Sequence, residues 1–294
     1  MAQKLAFLHA LSPLHAGTGQ GVGAIDLPIA RERATQLPLV PGSSIKGCLR
    51  DAMREHPLHK SLHKAIFGPE SESASDHAGA VRFSDARLLL LPVRCLAATF
   101  VWATSPFVLR RFQRDAQMAG ETPPVAIPSV PDGEARVCST DPLVTLGKAQ
   151  RLVLEDLDFG VQTSGAEDWC TWIGKKLYGD PEAPWRDEMK KRFAILDDKS
   201  FDYLSEYATE ITAHIKIDHD TGTVTAGALW YQESLPAETV LYLLIQADRA
   251  RDGSKKSAEE LLAAIEGRHD VQFGGKAGAG QGLARLIPLG GGAA

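Results

Sequence analysis

The spacing of apolar and polar positions changes repeatedly along the chain between a period of two and one near four, which predicts strands interleaved with helices. Residues 4–11 form an apolar run of strand length that delivers the chain into a glycine-rich stretch from Leu14 to Asp26. Pro41-Gly42 then turns the chain, and Ser43 or Ser44 is the expected cap of a helix. Ile45, Leu49, Ala52 and Met53 share one face of that helix, while Lys46, Arg50 and Arg54 repeat along another. Residues 79–91 and 94–104 predict two strands around Pro92, a candidate antiparallel pair. After Ser105-Pro106, residues 107–118 resume helical spacing with Arg110, Arg111 and Arg114 clustered on them.

Prolines at 123, 124, 128 and 131 forbid regular structure over 120–140. Up to about residue 210 the signals are mixed. Trp169, Trp172 and Trp185 interleave there with Lys175, Lys176, Lys190, Lys191 and Arg192, a pattern that suits either base stacking or ordinary core packing. Ile211, Ala213, Ile215 and Ile217 then alternate with Thr212, His214 and Lys216, and the turn at 218–222 followed by residues 223–230 predicts a β-hairpin. Residues 238–247 read as another strand. Ser257 with Glu260 forms a capping box before Leu261, Leu262 and Ile265, and residues 271–273 lead into a second glycine-rich loop at 274–282 and a closing strand at 283–289.

With 294 residues, 44% of them hydrophobic, the chain can bury a sizeable core as one large domain or two ordinary ones. No apolar run approaches the ~20 residues of a membrane span. The first ten residues lack a basic start followed by a long apolar core, so the expected location is the cytoplasm, without membrane contact. Cys48, Cys95, Cys138 and Cys170 show neither C-x-x-C nor zinc-site spacing, which predicts reduced thiols. A formal charge of -5 excludes a broadly basic surface but not a local basic groove, so nucleic acid has to be argued from sites.

Glycines at 17, 19, 21 and 23 leave a backbone that a large anion can approach closely, and His15 and Asp26 flank it with a proton-moving group and a carboxylate. The alternative is a glycine-rich surface loop with a chance His and Asp. Ser43, Ser44, Lys46 and Arg50 at a helix start make a candidate phosphate seat or, failing that, a solvated face. His56, His59 and His63 have metal-ligand spacing only on a continuous helix, which Pro57 interrupts.

The second loop offers Gly274, Gly275, Lys276, Gly278 and Gly280. It is no Walker loop, because Ala277 follows Lys276 where a magnesium-binding hydroxyl is needed. The dinucleotide fingerprint fails for both loops, and no nucleophile elbow occurs. A long anion held by backbone N–H groups, RNA among them, suits the loop better. The order strand, helix, strand, strand, helix, strand is that of an α+β, ferredoxin-like or RRM-like sheet, although the aromatic RNP signature is missing.

The whole chain resembles the RAMP superfamily, and within it the backbone subunits of the type III-B CRISPR effector, the Cmr complex. The resemblance rests on His15-Ala-Gly-Thr-Gly, Asp26-Leu-Pro-Ile, Pro41-Gly-Ser-Ser-Ile-Lys-Gly with Leu49-Arg50, Phe83-Ser-Asp-Ala, Thr104-Ser-Pro, Gly227-Ala-Leu-Trp with Glu233-Ser-Leu-Pro, and Gly274 to Gly282. It implies a RAMP core built from 1–118 and 211–294, an extra hairpin, and an insertion at 119–210 that is a candidate for the family's thumb. It further implies a subunit that polymerises with copies of itself along a guide crRNA beside other Cmr-type subunits, and that cuts paired target RNA at regular intervals.

In the family the cleavage acid is the aspartate of the loop after the first strand, which maps onto Asp26, with His15 as a supporting candidate. Glu233 lies where the family usually carries paired acids, but here Gln232 stands beside it. Asp26 alone is a poor metal cage, so weak Mg2+ or Mn2+ binding completed by RNA phosphate and water is the expectation. The alternatives are a noncatalytic RNA-binding scaffold of the same complex and, more remotely, a nucleotide-dependent enzyme using Lys276.

Overall fold

The apolar run near the start becomes a central strand because both of its flanks and both of its faces are covered, which is why it reads as continuous rather than alternating hydrophobicity. The computed structural model describes residues 1–21, 23–54, 62–70, 75–141 and 151–290. In chain order its elements are β1 (Ala2–Ala10), β2 (Leu39–Val40), α1 (Gly42–Met53), α2 (His63–Phe67), β3 (Val81–Phe83), β4 (Ala86–Cys95), β5 (Thr99–Thr104) and α3 (Pro106–Met118). There follow β6 (Glu134–Val137), β7 (Arg151–Leu154), β8 (Leu157–Gln162), α4 (Glu167–Leu177), α5 (Ala183–Lys191), β9 (Phe193–Leu196) and α6 (Asp198–Tyr207). The chain ends with β10 (Glu210–Ile217), β11 (Val224–Ser234), β12 (Val240–Ala247), α7 (Ala258–Ala263), β13 (His269–Gln272) and β14 (Leu283–Pro288).

The architecture is α+β. One mixed sheet runs β13-β14-β1-β12-β4-β5-β9-β6-β8-β7, with β2 on β4 and β3 on β12. β1 pairs antiparallel with β12 (Leu5↔Leu244) and with β14 (Phe7↔Ile287), so strands from early and late in the sequence are neighbours in the sheet. β4 spans two halves of the sheet: Arg87 to Leu90 pair with β12, and Leu91 to Cys95 pair with β5.

Pro92 therefore lies inside β4 and does not separate two strands as expected; the turn comes at 96–98. The strand tolerates it because Pro92 falls just past Leu90↔Val240, the last pair with β12, where a missing N–H costs no ladder bond. The predicted α3 is capped as its sequence specifies, with Ser105 Oγ accepting from Val108 N and Pro106 at the first position. α1 differs. Its N-cap is Pro41 without a side-chain bond, and Ser43 and Ser44 lie in the first turn. Gly42 N donates instead to Asp85 Oδ1 at 2.8 Å, and a Cβ on Gly42 would sit 2.3 Å from Phe83 O, which excludes any other residue there. Ile45, Leu49 and Met53 are buried as expected, whereas Ala52 is exposed.

Residues 134–137 and 151–196, mixed in their sequence signals, extend the same sheet: β5 pairs parallel with β9, and β9 antiparallel with β6. They also share its core. Phe112 of α3 stacks on Phe7 at 5.9 Å and meets Tyr242, Trp172 and Trp169 edge-on at 5.1, 5.6 and 6.3 Å. Trp169 is fully buried, with Nε1 donating to Ala126 O, so its role is packing. The clustered Arg110, Arg111 and Arg114 pair with Asp198, Glu32 and Asp115 and are likewise absorbed by the fold.

The predicted hairpin is present as β10–β11, a separate two-stranded sheet. Its apolar residues Ile211, Ile215, Leu229 and Tyr231 are all exposed. Among the described residues no helix is long and apolar enough to cross a membrane.

Candidate nucleic-acid interface and cleavage site

Leaving β1, the chain zips against the segment that leads away from the first glycine loop: Gly17 bridges Ile29, and Ala30 N donates to Ala16 O. The loop tip closes through Gly21 N donating to Asp26 O at 2.9 Å. β11 runs beside this segment, since Leu27 N donates to Tyr231 O and Glu233 N to Leu27 O. Tyr231 N donates in turn to Asp26 Oδ2 at 2.8 Å, which fixes the exposed carboxylate at the loop mouth.

The second glycine loop docks on the first. Gly275 N donates to His15 O, Gly282 N to Pro13 O and Leu283 N to Ser12 Oγ. At Gly274, φ is +72° and a Cβ would lie 2.2 Å from His15 O, so this close approach requires glycine. Lys276 also takes a left-handed conformation, φ 66°, and leads into a single 3-10 turn at Ala277–Ala279. Gln232 ties the loop to β11 by donating Nε2–H to Gln281 Oε1 at 2.6 Å.

Between the loops opens a cavity of about 420 Å³ lined by Gln20, Gly21, Asp26, Leu27, Trp230 and Lys276. Gly17, Gly19, Gly278 and Gly280 are exposed around this region, with Gly21 half-buried. α1 reaches the second loop through the Cys48 thiol, which hydrogen-bonds the Gly274 main chain and whose pKa is pushed up by burial. On the same helix Ser43 is exposed and Ser44 and Lys46 are half-buried; burial, then the charge of Arg50, pushes the Lys46 ammonium below its ordinary pKa. Arg50 itself turns away, donating to Pro69 O and pairing with Glu70.

His15 and Glu233 sit beneath the loops. His15 is buried, and its Nδ1 donates to Glu233 O at 2.7 Å. Glu233, 2% exposed, accepts from Ile29 N, from Arg31 and from Thr209 Oγ1, so every part of its carboxylate is engaged by the protein. Of these three residues Asp26 is thus the one that faces solvent.

These donors do not fit a resident Mg2+ or Mn2+: among the described residues no three His, Cys, Asp or Glu side chains gather as a cage. Asp26 already spends one oxygen on Tyr231. Of the histidine trio, His56 and His59 lie outside the described residues, and His63 donates Nε2–H to Arg50 O. The sequence assigned no site role to Tyr231, Gln281 or Arg31, because their parts depend on pairings that join distant segments.

The chain from residue 7 to 285 matches the RAMP superfamily model. It is 35% identical over 295 residues to the CRISPR system Cmr endoribonuclease Cmr4 of Pyrococcus furiosus, covering 97% of this chain and 95% of that protein. The crystal structure of oligomeric Cmr4 from the same organism superposes with a TM-score of 0.72 at 28% identity, covering 98% of each chain. A subunit of the type III-B Cmr-beta complex bound to cognate target RNA superposes at 0.74, with 19% identity over 98% of this chain and 97% of its own, a likeness of fold. The chain belongs to the RAMP superfamily and, within it, to the Cmr4 family.

Proposed function

We propose that the chain is a backbone subunit of a type III-B CRISPR effector that assembles in several copies along a crRNA and cuts complementary target RNA at regular intervals. The observation that carries this reading is the meeting of the two glycine loops at His15, around one cavity that also holds the exposed Asp26. A glycine-rich backbone poor in side chains lets ribose and phosphate approach closely without reading bases. Ser43, Ser44 and Lys46 of α1 extend that track from the side of Gly274.

The β10–β11 hairpin is the better candidate for the projecting thumb than residues 119–210. It forms its own sheet with its apolar side chains exposed, whereas β6, β8 and β9 are stitched into the main sheet.

Cutting follows from position. A target nucleotide held out of its stack presents its 2′-hydroxyl in line with the adjacent phosphorus. The Asp26 carboxylate takes the hydroxyl proton, the 2′-oxygen bonds to phosphorus, the P–O5′ bond breaks, and the departing 5′-oxygen takes a proton from water. The products are a 2′,3′-cyclic phosphate and a 5′-hydroxyl. Lys276 lines the same cavity and offsets phosphate charge.

The test is reconstitution with crRNA and complementary RNA. Regularly spaced cuts bearing those ends are expected, and Asp26→Asn should abolish them with crRNA binding intact. An assembled complex that binds target and never cuts it would establish the scaffold alternative.

A further inference from the structure

Trp230 stands out because neither the core nor the carboxylate accounts for it. It sits on β11 one residue before Tyr231, whose N–H fixes Asp26. On the same face of the hairpin lie its cross-strand partner His214 and, two residues on, Gln232. The Trp230 and His214 rings stack with centroids 5.6 Å apart and planes 18° from parallel. Trp230 is only half-buried, and it lines the cavity that Asp26 and Lys276 share.

Packing does not explain this placement. A tryptophan recruited to a core buries its whole ring, as Trp102 and Trp169 do here. Trp230 instead has an imidazole backing the indole, while the residue borders a polar cavity whose size suits an organic ligand. Backing by a stacked ring holds an aromatic plane in one orientation, which is what a platform needs.

The lining offers one partner for each part of a nucleotide: Lys276 for the phosphate, Asp26 for the ribose hydroxyl and Trp230 for the base. Stacking on an indole is also tolerant of sequence, which a site serving any target must be.

Resting on the function proposed above, we infer that Trp230, backed by His214, is the platform on which the target base at the cleaved step stacks once it leaves the duplex. Trp230 is then a positioning residue: it sets the angle between the 2′-hydroxyl and the phosphorus and takes no proton itself. His214 acts one step further back, by fixing the indole plane.

The experiment uses the complex assembled on crRNA, with 2-aminopurine at successive target positions and Asp26→Asn to keep the target whole. This base fluoresces when unstacked and is quenched against indole. One position per cleavage interval should be dark with Trp230, bright with Trp230→Leu and unchanged elsewhere. With Asp26 restored, Trp230→Leu should slow cutting by roughly ten- to a hundredfold, the range of one lost base stack, and Trp230→Phe should recover most of it.

Melting temperature and crRNA binding should match the parent in both variants, which separates positioning from support of the hairpin. A Trp230→Leu complex with the parent's fluorescence profile at every position overturns the platform, whatever its cutting rate. Absence of cutting by the unsubstituted complex overturns the functional reading instead.

Discussion

The imidazole Nδ1 of His15 lies 2.7 Å from the main-chain oxygen of Glu233, a residue 218 positions away. A carbonyl oxygen can only accept, so Nδ1 carries the proton and Nε2 is left as the variable nitrogen. That nitrogen lies under the first glycine loop, where a Cβ on Gly17 would meet it at 2.4 Å. The bond therefore supports the loop from below. His15→Asn, whose amide can repeat the Nδ1 donation, should keep melting temperature and cutting within about tenfold of the parent, less than the loss of a general acid or base. His15→Ala should lower both stability and crRNA affinity. A His15→Asn protein that is fully stable yet cuts as poorly as Asp26→Asn would make His15 a proton donor after all.

Glu233 makes a different prediction because its carboxylate is buried with its partners. Removing it deprives Ile29 N of its acceptor and the Arg31 guanidinium of its carboxylate partner, leaving that cation only the main-chain oxygens of Gln36 and Ser205. An uncompensated buried charge costs about 3–5 kcal/mol, so Glu233→Ala should melt far below the parent. Its crRNA binding should fall in parallel with its stability. Asp26→Asn should show the opposite pattern, with stability retained and cutting lost, and thermal melts beside cleavage assays separate the two acids.

The second loop allows a contrast between two of its glycines. Gly274→Ala places a Cβ 2.2 Å from His15 O at φ +72°, a backbone region that itself costs an alanine about 1–2 kcal/mol. It should destabilise the protein by more than that and separate the loops. A Cβ on Gly278 meets nothing within 4 Å, so Gly278→Ala should melt within about 0.5 kcal/mol of the parent. Any fall in crRNA affinity in Gly278→Ala then reports contact with RNA. Equal affinity would remove this residue from the interface.

Local rules made much of this fold legible. The capping box of α7 forms in both directions, with Glu260 N donating to Ser257 Oγ and Ser257 N to Glu260 Oε2. The alternation at 211–217 produces β10. What could not be read depends on distant partners. Pro92 is acceptable in β4 only because β12 stops short of it, and β9 reads as a strand only beside β5, some ninety residues earlier.

The site divides in the same way. His15, Asp26 and Lys276 announce themselves by residue type next to glycine. The burial of Glu233 and the parts of Tyr231 and Gln232 follow from β11 lying between two loops that sequence separates by more than two hundred residues.

Glu32 supplies a pH dependence that leaves the cleavage site untouched. Burial alone would raise the pKa of its carboxyl, but bonds from Arg111 and Thr35, with the charges of Arg111 and Arg87, hold it below the usual 4.5. Arg111 grips both oxygens, at 2.8 and 2.5 Å, and so anchors α3 to the segment after the first loop. A carboxyl with a lowered folded pKa stabilises fully above its unfolded value, and that stability is lost as pH falls through the folded one. Glu32→Gln should therefore cost about 1–2 kcal/mol at pH 7, a figure reduced for partial exposure. The gap between the two proteins should shrink below pH 4.5 as the parent's own carboxyl takes up its proton. Melting curves of both proteins from pH 7 to 3.5 measure this, and a gap that stays constant to the acid end would mean that Glu32 contributes shape rather than charge.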